Sequence, residues 1–449
     1  MINGLKPYPA MKESGVPWLG QVPEHWDVGR LKRICKFAYG DALSSDVRTF
    51  GDVPVLGSNG RVGSHTVTNT IAPCIVIGRK GSFGKITYSD EPVFAIDTTF
   101  FVDRRFTDAD IRWLSYLLGW LQLDEISKDS AIPGLDREDA YKSVVIVPSM
   151  DEQHSIVRFL DHADWLIRRY IAAKRKLIKL LEEQKQAIIH HAVTRGLDPS
   201  VALKPSGVRW LGEVPEHWAV RRGKYYFREV DERSRDGTEE LMSVSHKTGV
   251  TPRSEKNITM FMAESYVGHK LCRPDDIVVN TMWGWMAAVG VAKKVGIVSP
   301  SYGVYRARRT DEFRSQYLDL LLRTEVYRSE YVRSSRGITT SRLRLYPEDF
   351  LQISFVRPPL DEQDAILHSV ESETSELNRA IGAANHEVTL FQEYRTRLIA
   401  DVVTGKLDVR AAAAALPDML EMEAPEATEP LEEEIAGSPE IETETEETA

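Results

Sequence analysis

Cysteine is nearly absent from this 449-residue chain. Cys35, Cys74 and Cys272 are odd in number and far apart, which excludes a disulfide framework and fits no zinc-ligand spacing. Buried thiols in a reducing compartment are the expected reading. Long apolar runs are missing too: none approaches 18 residues, so no membrane-spanning helix is expected, and Met1 to Pro9 carries no signal-peptide pattern. The expected location is therefore cytoplasmic. Positive charge is lacking from one stretch only. Residues 411–449 hold 13 acids and no Lys or Arg, whereas residues 1–410 hold 57 bases against 54 acids. The formal charge of -10 thus splits into a body of about +3 and a tail of about -13. A Pro- and Glu-rich tail without aromatics is expected to be a disordered, solubilising extension, so the net acidity does not argue against a nucleic-acid partner.

What is present is a repeat. Ser14 to Lys32 reads SGVPWLGQVPEHWDVGRLK, and Ser206 to Lys224 reads SGVRWLGEVPEHWAVRRGK, with 14 of 19 positions identical at an offset of 192. Asp151-Glu152-Gln153 recurs as Asp361-Glu362-Gln363, and VTRGLD at 193–198 recurs as VTGKLD at 403–408, both at an offset of 210. The 18 extra residues fall between the two kinds of anchor, where the copies scarcely resemble each other. The chain is two copies of one unit with fixed anchors and divergent interiors.

After each Asp-Glu-Gln the pattern is helical. Leu160, Ile167, Leu181 and Ile188 follow a seven-residue repeat, interrupted only by Lys174, and Val370, Leu377, Ala384, Phe391 and Leu398 repeat it 210 residues later. Gly196 with Pro199, and Gly405, are the stop signals. Each helix should run about 40 residues, roughly 60 Å. Two matched helices separated by a folded segment pair most simply as an antiparallel coiled coil; the plainer alternative is that each packs on its own domain. Between the anchors, 72–88, 92–102 and 144–148 read as strands and 111–123 as a helix. In the second copy 275–283, 287–294 and 301–307 read as strands and 313–332 as one helix. Each interior is an α/β unit of single-domain size.

No motif supplies catalysis. Gly78 to Lys85 (GRKGSFGK) fails as a phosphate-binding loop: five residues, not four, separate Gly78 from Gly84, and Ile86 stands where a magnesium-binding hydroxyl belongs. Ser299-Pro300-Ser301-Tyr302 lacks the second proline of an amino-methyltransferase motif, and Glu183-Gln184-Lys185 lies on the heptad helix. His25 and His217, one in each PEHW, suit packing or hydrogen bonding, and the paired Trp18, Trp26, Trp210 and Trp218 suit a corner against the helix ends. A binding protein, not an enzyme, is expected, with no metal site.

The divergent interiors concentrate groups suited to nucleic acid. The candidates are Asn59, Arg61, Arg79, Lys80, Ser82 and Lys85, with Arg104 and Arg105, in the first copy; and His246, Lys247, Asn280, Arg336, Thr340, Arg342 and Arg344, with Arg253, in the second. Arg and Lys read guanine, and Asn reads adenine, by paired hydrogen bonds. Gly-rich turns and hydroxyls approach phosphates closely. For any one of these residues an ordinary surface role is the bland alternative; the collective pattern carries the argument.

The doubled SGVxWLGxVPEHW, the divergent segment after each, and the DEQ-initiated helix after each resemble the specificity subunit of type I restriction–modification enzymes, over residues 14 to about 408. The resemblance implies an α+β chain in which two α/β target recognition domains are separated by two long helices forming an antiparallel coiled coil, with an internal pseudo-twofold repeat. The implied boundaries are 1–150 and 197–360 for the recognition domains, 151–196 and 361–408 for the spacer helices, and 409–449 for the tail. Leu160, Ile167, Leu181, Ile188, Val370, Leu377, Phe391 and Leu398 would form the subunit scaffold. Ile132-Pro133-Gly134-Leu135 resembles a loop of such domains, from which Ile338-Thr339-Thr340-Ser341 departs by lacking the proline. The implied work is reading an asymmetric bipartite site on double-stranded DNA while holding two methyltransferase subunits and endonuclease/translocase subunits. S-adenosylmethionine, ATP and magnesium would belong to those partners. The competing readings are a specificity chain of a related restriction system and a coiled-coil adaptor without DNA readout.

Overall fold

The computed structural model describes residues 5–126, 134–256, 265–337 and 343–417. Ile132, Pro133, the 338–341 loop, Thr340, Arg342 and the acidic residues from Asp418 onward lie outside the described residues. The described residues divide into two compact units: those up to Ala173 with 386–417, and those of Lys174–Asn385.

The two units are built alike. In the first, a four-stranded antiparallel sheet runs in the order Ala38–Tyr39, Thr99–Asp103, Cys74–Gly78, Ile86–Ser89. In the second the same order is filled by Phe227–Glu229, Gly303–Ala307, Ile277–Val279 and Val289–Val291. The central strands CIVIG and TFFVD are buried at every position, as a strand covered on both faces must be. The sequence-predicted 111–123 helix forms over Ile111–Trp120, capped by Asp110, whose carboxylate accepts from the Trp113 amide at 2.8 Å. The 313–332 expectation needs correction. That segment is two helices, Ser315–Leu322 and Glu325–Ser334, because Thr324 is extended and starts the second one. The break lets Tyr317, Tyr327 and Tyr331 all reach the core, where each is fully buried.

The repeated strands pair in the same register in both copies. Met11–Glu13 pairs with Gln21–Pro23, and Leu203–Pro205 with Glu213–Pro215. Asp27–Arg30 pairs with Val144–Val147, and Ala219–Arg222 with Ser354–Arg357. Each divergent interior therefore enters and leaves through two adjacent antiparallel strands.

The long helices span Met150–Arg195 and Leu360–Val403. They lie antiparallel within each unit. In the first, Tyr170 rests on Phe391 at 4.3 Å between ring centroids, and Asp164 pairs with Arg395. In the second, Lys185 donates to the Asn378 side chain at 2.7 Å. Burial along the expected stripe is uneven. Leu160, Ile167, Val370 and Leu398 are buried, while Leu181, Ile188, Leu377 and Phe391 are only partly covered. Leu160 and Leu398 belong to the core of the first unit, together with Ile156, Phe159 and Val402; Val370 and Ile366 belong to the core of the second. The helix ends are thus rooted in the core of each unit, and within each unit the helical pair beyond the core has only one face to hide.

Glycine ends each helix for a steric reason. Gly196 (φ +80°) and Gly405 (φ +72°) are left-handed, and a Cβ on Gly405 would stand 2.4 Å from Pro23 and 3.0 Å from Trp26. Among the described residues no helix is long and apolar enough to cross a membrane.

Candidate nucleic-acid interface

The repeated anchors meet in a corner. Glu152, the middle residue of the first Asp-Glu-Gln, accepts from His25 Nε2 at 3.0 Å and from Trp26 Nε1 at 3.1 Å. In the second unit Glu362 accepts from His217 Nε2 at 2.7 Å and Trp218 Nε1 at 3.0 Å. Both tryptophans are fully buried, so the carboxylate satisfies an indole N–H that has no access to water. The glutamines serve the interior. Gln153 accepts from the Asp110 amide at 2.8 Å and donates to the Pro148 carbonyl; Gln363 accepts from the Arg314 amide at 2.7 Å and donates to Pro358 and Glu312. PEHW and DEQ therefore recur together because they are two halves of one hydrogen-bonded joint. Trp18 departs from the corner expectation: it is 61% exposed and leans on Trp120 at 5.6 Å, whereas Trp210 packs edge-on against Tyr327.

Away from the corner, the first unit gathers most of its sequence-predicted residues at one rim. Val53–Gly57 and Gly60–His65 form a hairpin whose turn is Ser58-Asn59. The strand Cys74–Gly78 runs into the turn holding Arg79, Lys80, Ser82 and Lys85. The two turns are tied through the Thr98 carbonyl, which accepts from Ser58 Oγ at 2.6 Å and from the amides of Arg79 and Lys80 at 2.9 and 3.1 Å. Lys85 Nζ reaches across to Asn59 Oδ1 at 3.0 Å. Lys80 also bridges to Gly134, and Leu135 donates to the Arg79 carbonyl at 2.9 Å. The tightness explains the glycines: a Cβ on Gly78 would meet the Ser82 carbonyl at 2.2 Å, and one on Gly84 the Asp124 amide at 2.3 Å. Lys80, Ser82, Lys85, Asn59 and Arg61 are exposed, and Arg79 is half-buried. Arg104 and Arg105 stand elsewhere. Arg105 holds the buried Asp103 carboxylate through two nitrogens, and Arg104 donates to the Ala72 carbonyl, so both serve the fold.

In the second unit the candidates fall in two places. His246 and Lys247 are exposed at the turn between Met242–Ser245 and Gly249–Pro252. Partial burial, followed by the charges of Lys247, Arg323, Arg328 and Lys256, holds the His246 imidazole below its ordinary pKa. Of these cations Arg323 is paired with Asp319 and Arg328 with Glu325; Arg323, Arg328 and Lys256 were not singled out from sequence because they lie on segments apart from the His246 turn. Arg336 and Arg344 are exposed and joined by two backbone hydrogen bonds of 2.9 Å. Arg336 is also ion-paired with Asp349 at 2.5 Å. Asn280 is not at the surface. It is 1% exposed, donates to Tyr302 Oη at 2.8 Å and accepts from the Met282 amide, so it cannot read a base edge. The second copy also lacks a cationic turn: where the first unit has RKGSFGK, the turn between Ile277–Val279 and Val289–Val291 carries Trp283 and Trp285, stacked at 6.1 Å.

Among the described residues no group of three or more His, Cys, Asp or Glu is placed to hold a metal ion.

Comparison with known proteins agrees with this build. Residues 23–182 match the family described as the type I restriction modification DNA specificity domain. The chain is 22% identical over 424 residues to the type I restriction enzyme MjaVIII specificity subunit of Methanocaldococcus jannaschii, covering 87% of this chain and 95% of the relative. In fold it resembles, with a TM-score of 0.55 at 13% identity, a chain from a structure of the assembly and conformational transition of the type I R-M system, covering 86% of this chain and 99% of that one.

Proposed function

We propose that this chain, whose residues 23–182 match the family described as the type I restriction modification DNA specificity domain, is the DNA-reading subunit of a type I restriction–modification complex. It recognises and does no chemistry of its own. Each unit reads one half of an asymmetric bipartite site on double-stranded DNA, and the paired helices fix the gap between the halves. The observation that carries this reading is the contrast between identical joints and unlike tips. The Glu152 and Glu362 corners make the same hydrogen bonds, 3.0 and 3.1 Å in one and 2.7 and 3.0 Å in the other, while one tip presents Arg79, Lys80 and Lys85 and the other Trp283 and Trp285. Two different readers on one repeated scaffold specify two different half-sites.

Methyltransferase subunits supply the base chemistry, since modifying a base requires flipping it into a cofactor pocket. S-adenosylmethionine belongs to them, and ATP and magnesium to endonuclease/translocase subunits; the complex works in the cytoplasm. A body charge of about +3 makes DNA affinity of the chain alone weak, to be completed by the partners' basic surfaces. The test is sequencing of methylated bases in a host expressing this chain with its methyltransferase. A single bipartite motif, two unlike halves around an unspecified gap, is expected. Methylation of a continuous palindrome, or none dependent on this chain, would refute the reading.

A further inference from the structure

The rim of the first unit carries a second cluster. Tyr39, on the edge strand Ala38–Tyr39, is 49% exposed, and two guanidiniums lie against its ring: Arg79 at 4.9 Å and Arg137 at 5.1 Å from the centroid. The three residues come from three distant segments, the edge strand, the cationic turn and the first residue of the helix Arg137–Tyr141. Secondary ring contacts fix both arginines further, Arg79 on Phe100 at 5.6 Å and Arg137 on Tyr141 at 5.9 Å. Two cations sharing one ring repel each other, and their internal partners are meagre. Arg79 donates to the Asp97 carbonyl at 3.3 Å, and the 61%-exposed Glu138 stands 3.7 Å from Arg137. Arg137 Nε is buried and is the atom that faces Glu138, so it is the Nη end of this 35%-exposed side chain that remains to meet a ligand. A guanidinium whose face is covered by a ring keeps its in-plane N–H edge free and loses little freedom when that edge is used.

We propose that Arg137, laid with Arg79 against Tyr39, is a DNA contact of the first unit, its two Nη groups taking a pair of acceptors on the duplex; the inference rests on the DNA-reading function above. Paired acceptors on DNA are the oxygens of a phosphate or the O6/N7 edge of guanine. Tyr39 is the positioning residue that holds the fork. Pro347 occupies the position of Arg137 in the second copy, at the offset of 210, so the contact acts on the first half-site alone.

The experiment uses the full chain assembled with its methyltransferase, across a salt series, on cognate DNA and on DNA altered in either half. Arg137→Ala and Tyr39→Leu should each weaken cognate binding about tenfold. Tyr39→Phe should bind as the parent does, and Arg137→Lys should recover little, because an ammonium keeps the charge but not the fork. A uniform loss with the salt slope reduced by about one assigns the contact to phosphate. Lost discrimination at one base pair of the first half assigns it to guanine. Unchanged binding by Arg137→Ala, full recovery by Arg137→Lys, or an effect on the second half overturns the proposal. A parent complex that binds no DNA would refute the DNA-reading function itself, and the inference would fall with it. Circular dichroism of each variant separates lost contact from lost fold.

Discussion

Replacing Glu152 by alanine should be among the most damaging single changes in the scaffold. Its side chain is 7% exposed, bonded to His25 and Trp26, with Ser149 Oγ at 3.3 Å and Arg410 at 3.7 Å. Removal leaves the indole N–H of Trp26, itself fully buried, without an acceptor, which costs about 1–3 kcal/mol, and forfeits charge-assisted bonds of similar size. With partial relaxation and water entry, about 2–4 kcal/mol is expected. Glu362 makes the same two bonds, but its side chain is 25% exposed, so its removal opens a path for water to the otherwise buried Trp218 indole, and about 1–2 kcal/mol is expected. The order is the sharper statement: Glu152→Ala should cost more than Glu362→Ala. The assay is hydrogen exchange of the amides in Asp27–Arg30 and Ala219–Arg222, which follows each unit separately where one global transition would mix them. Glu152→Ala paired with Trp26→Phe should recover part of the loss, since the orphaned donor is gone. Equal or inverted costs at the two corners, or no recovery in the double variant, would refute the argument from buried donors.

Exchanging residues 33–150 for the matching segment of a relative should change one half of the methylated motif and spare the other, as read by methylated-base sequencing; a change in both halves with the complex still assembled contradicts independent reading. Inserting four residues near Lys174 and four near Ala384 lengthens both helices by about 6 Å, close to two base pairs, and should widen the gap in the motif without altering either half; methylation at the original spacing would end the spacer idea. Truncation of 411–449 should leave the motif unchanged and tighten DNA binding at low salt, since it removes about 13 negative charges; failure of the complex to assemble would make the tail a docking element. Burial pushes the Cys35 thiol up to about 12 and that of Cys272 up to about 11, and also raises Cys74. All three should therefore resist a thiol reagent at pH 8 until urea is added. Because a raised thiol pKa favours the folded state only while the unfolded thiol stays protonated, stability should fall as the pH climbs from about 9 toward 12, measured by urea midpoints.

What the sequence made legible was whatever repeats or has a period. The helices Met150–Arg195 and Leu360–Val403 begin and end within a residue or two of where the heptads, Gly196 and Gly405 place them. The PEHW and DEQ motifs were visible as anchors, yet their union was not, because Glu152 lies 127 residues from His25 and nothing local links a carboxylate to an indole so distant. The cationic turn Arg79 to Lys85 was readable from its glycines and charges. Tyr39 and Arg137 were not, since an aromatic on a two-residue strand and an arginine opening a five-residue helix carry no pattern. Asn280 misled for the opposite reason: a polar residue in an apolar run suggests a reader, but here its amide is consumed by Tyr302 and the turn amides.

The two-stranded ladders that open and close each interior have a consequence for how such a chain can vary. Arg30 faces Val144 and Arg222 faces Ser354, so whatever is spliced between them starts and finishes at neighbouring points. The ladder is a mortise of constant width, and an inserted module need only bring its two ends together to seat in it. Lengthening a closed loop costs little, growing with the logarithm of its length, so the 18-residue difference between the two interiors is thermodynamically minor. A gene encoding this chain can therefore trade whole interiors by crossing over within the repeated stretches at Ser14 to Lys32 or Ser206 to Lys224, and inherit a working joint each time.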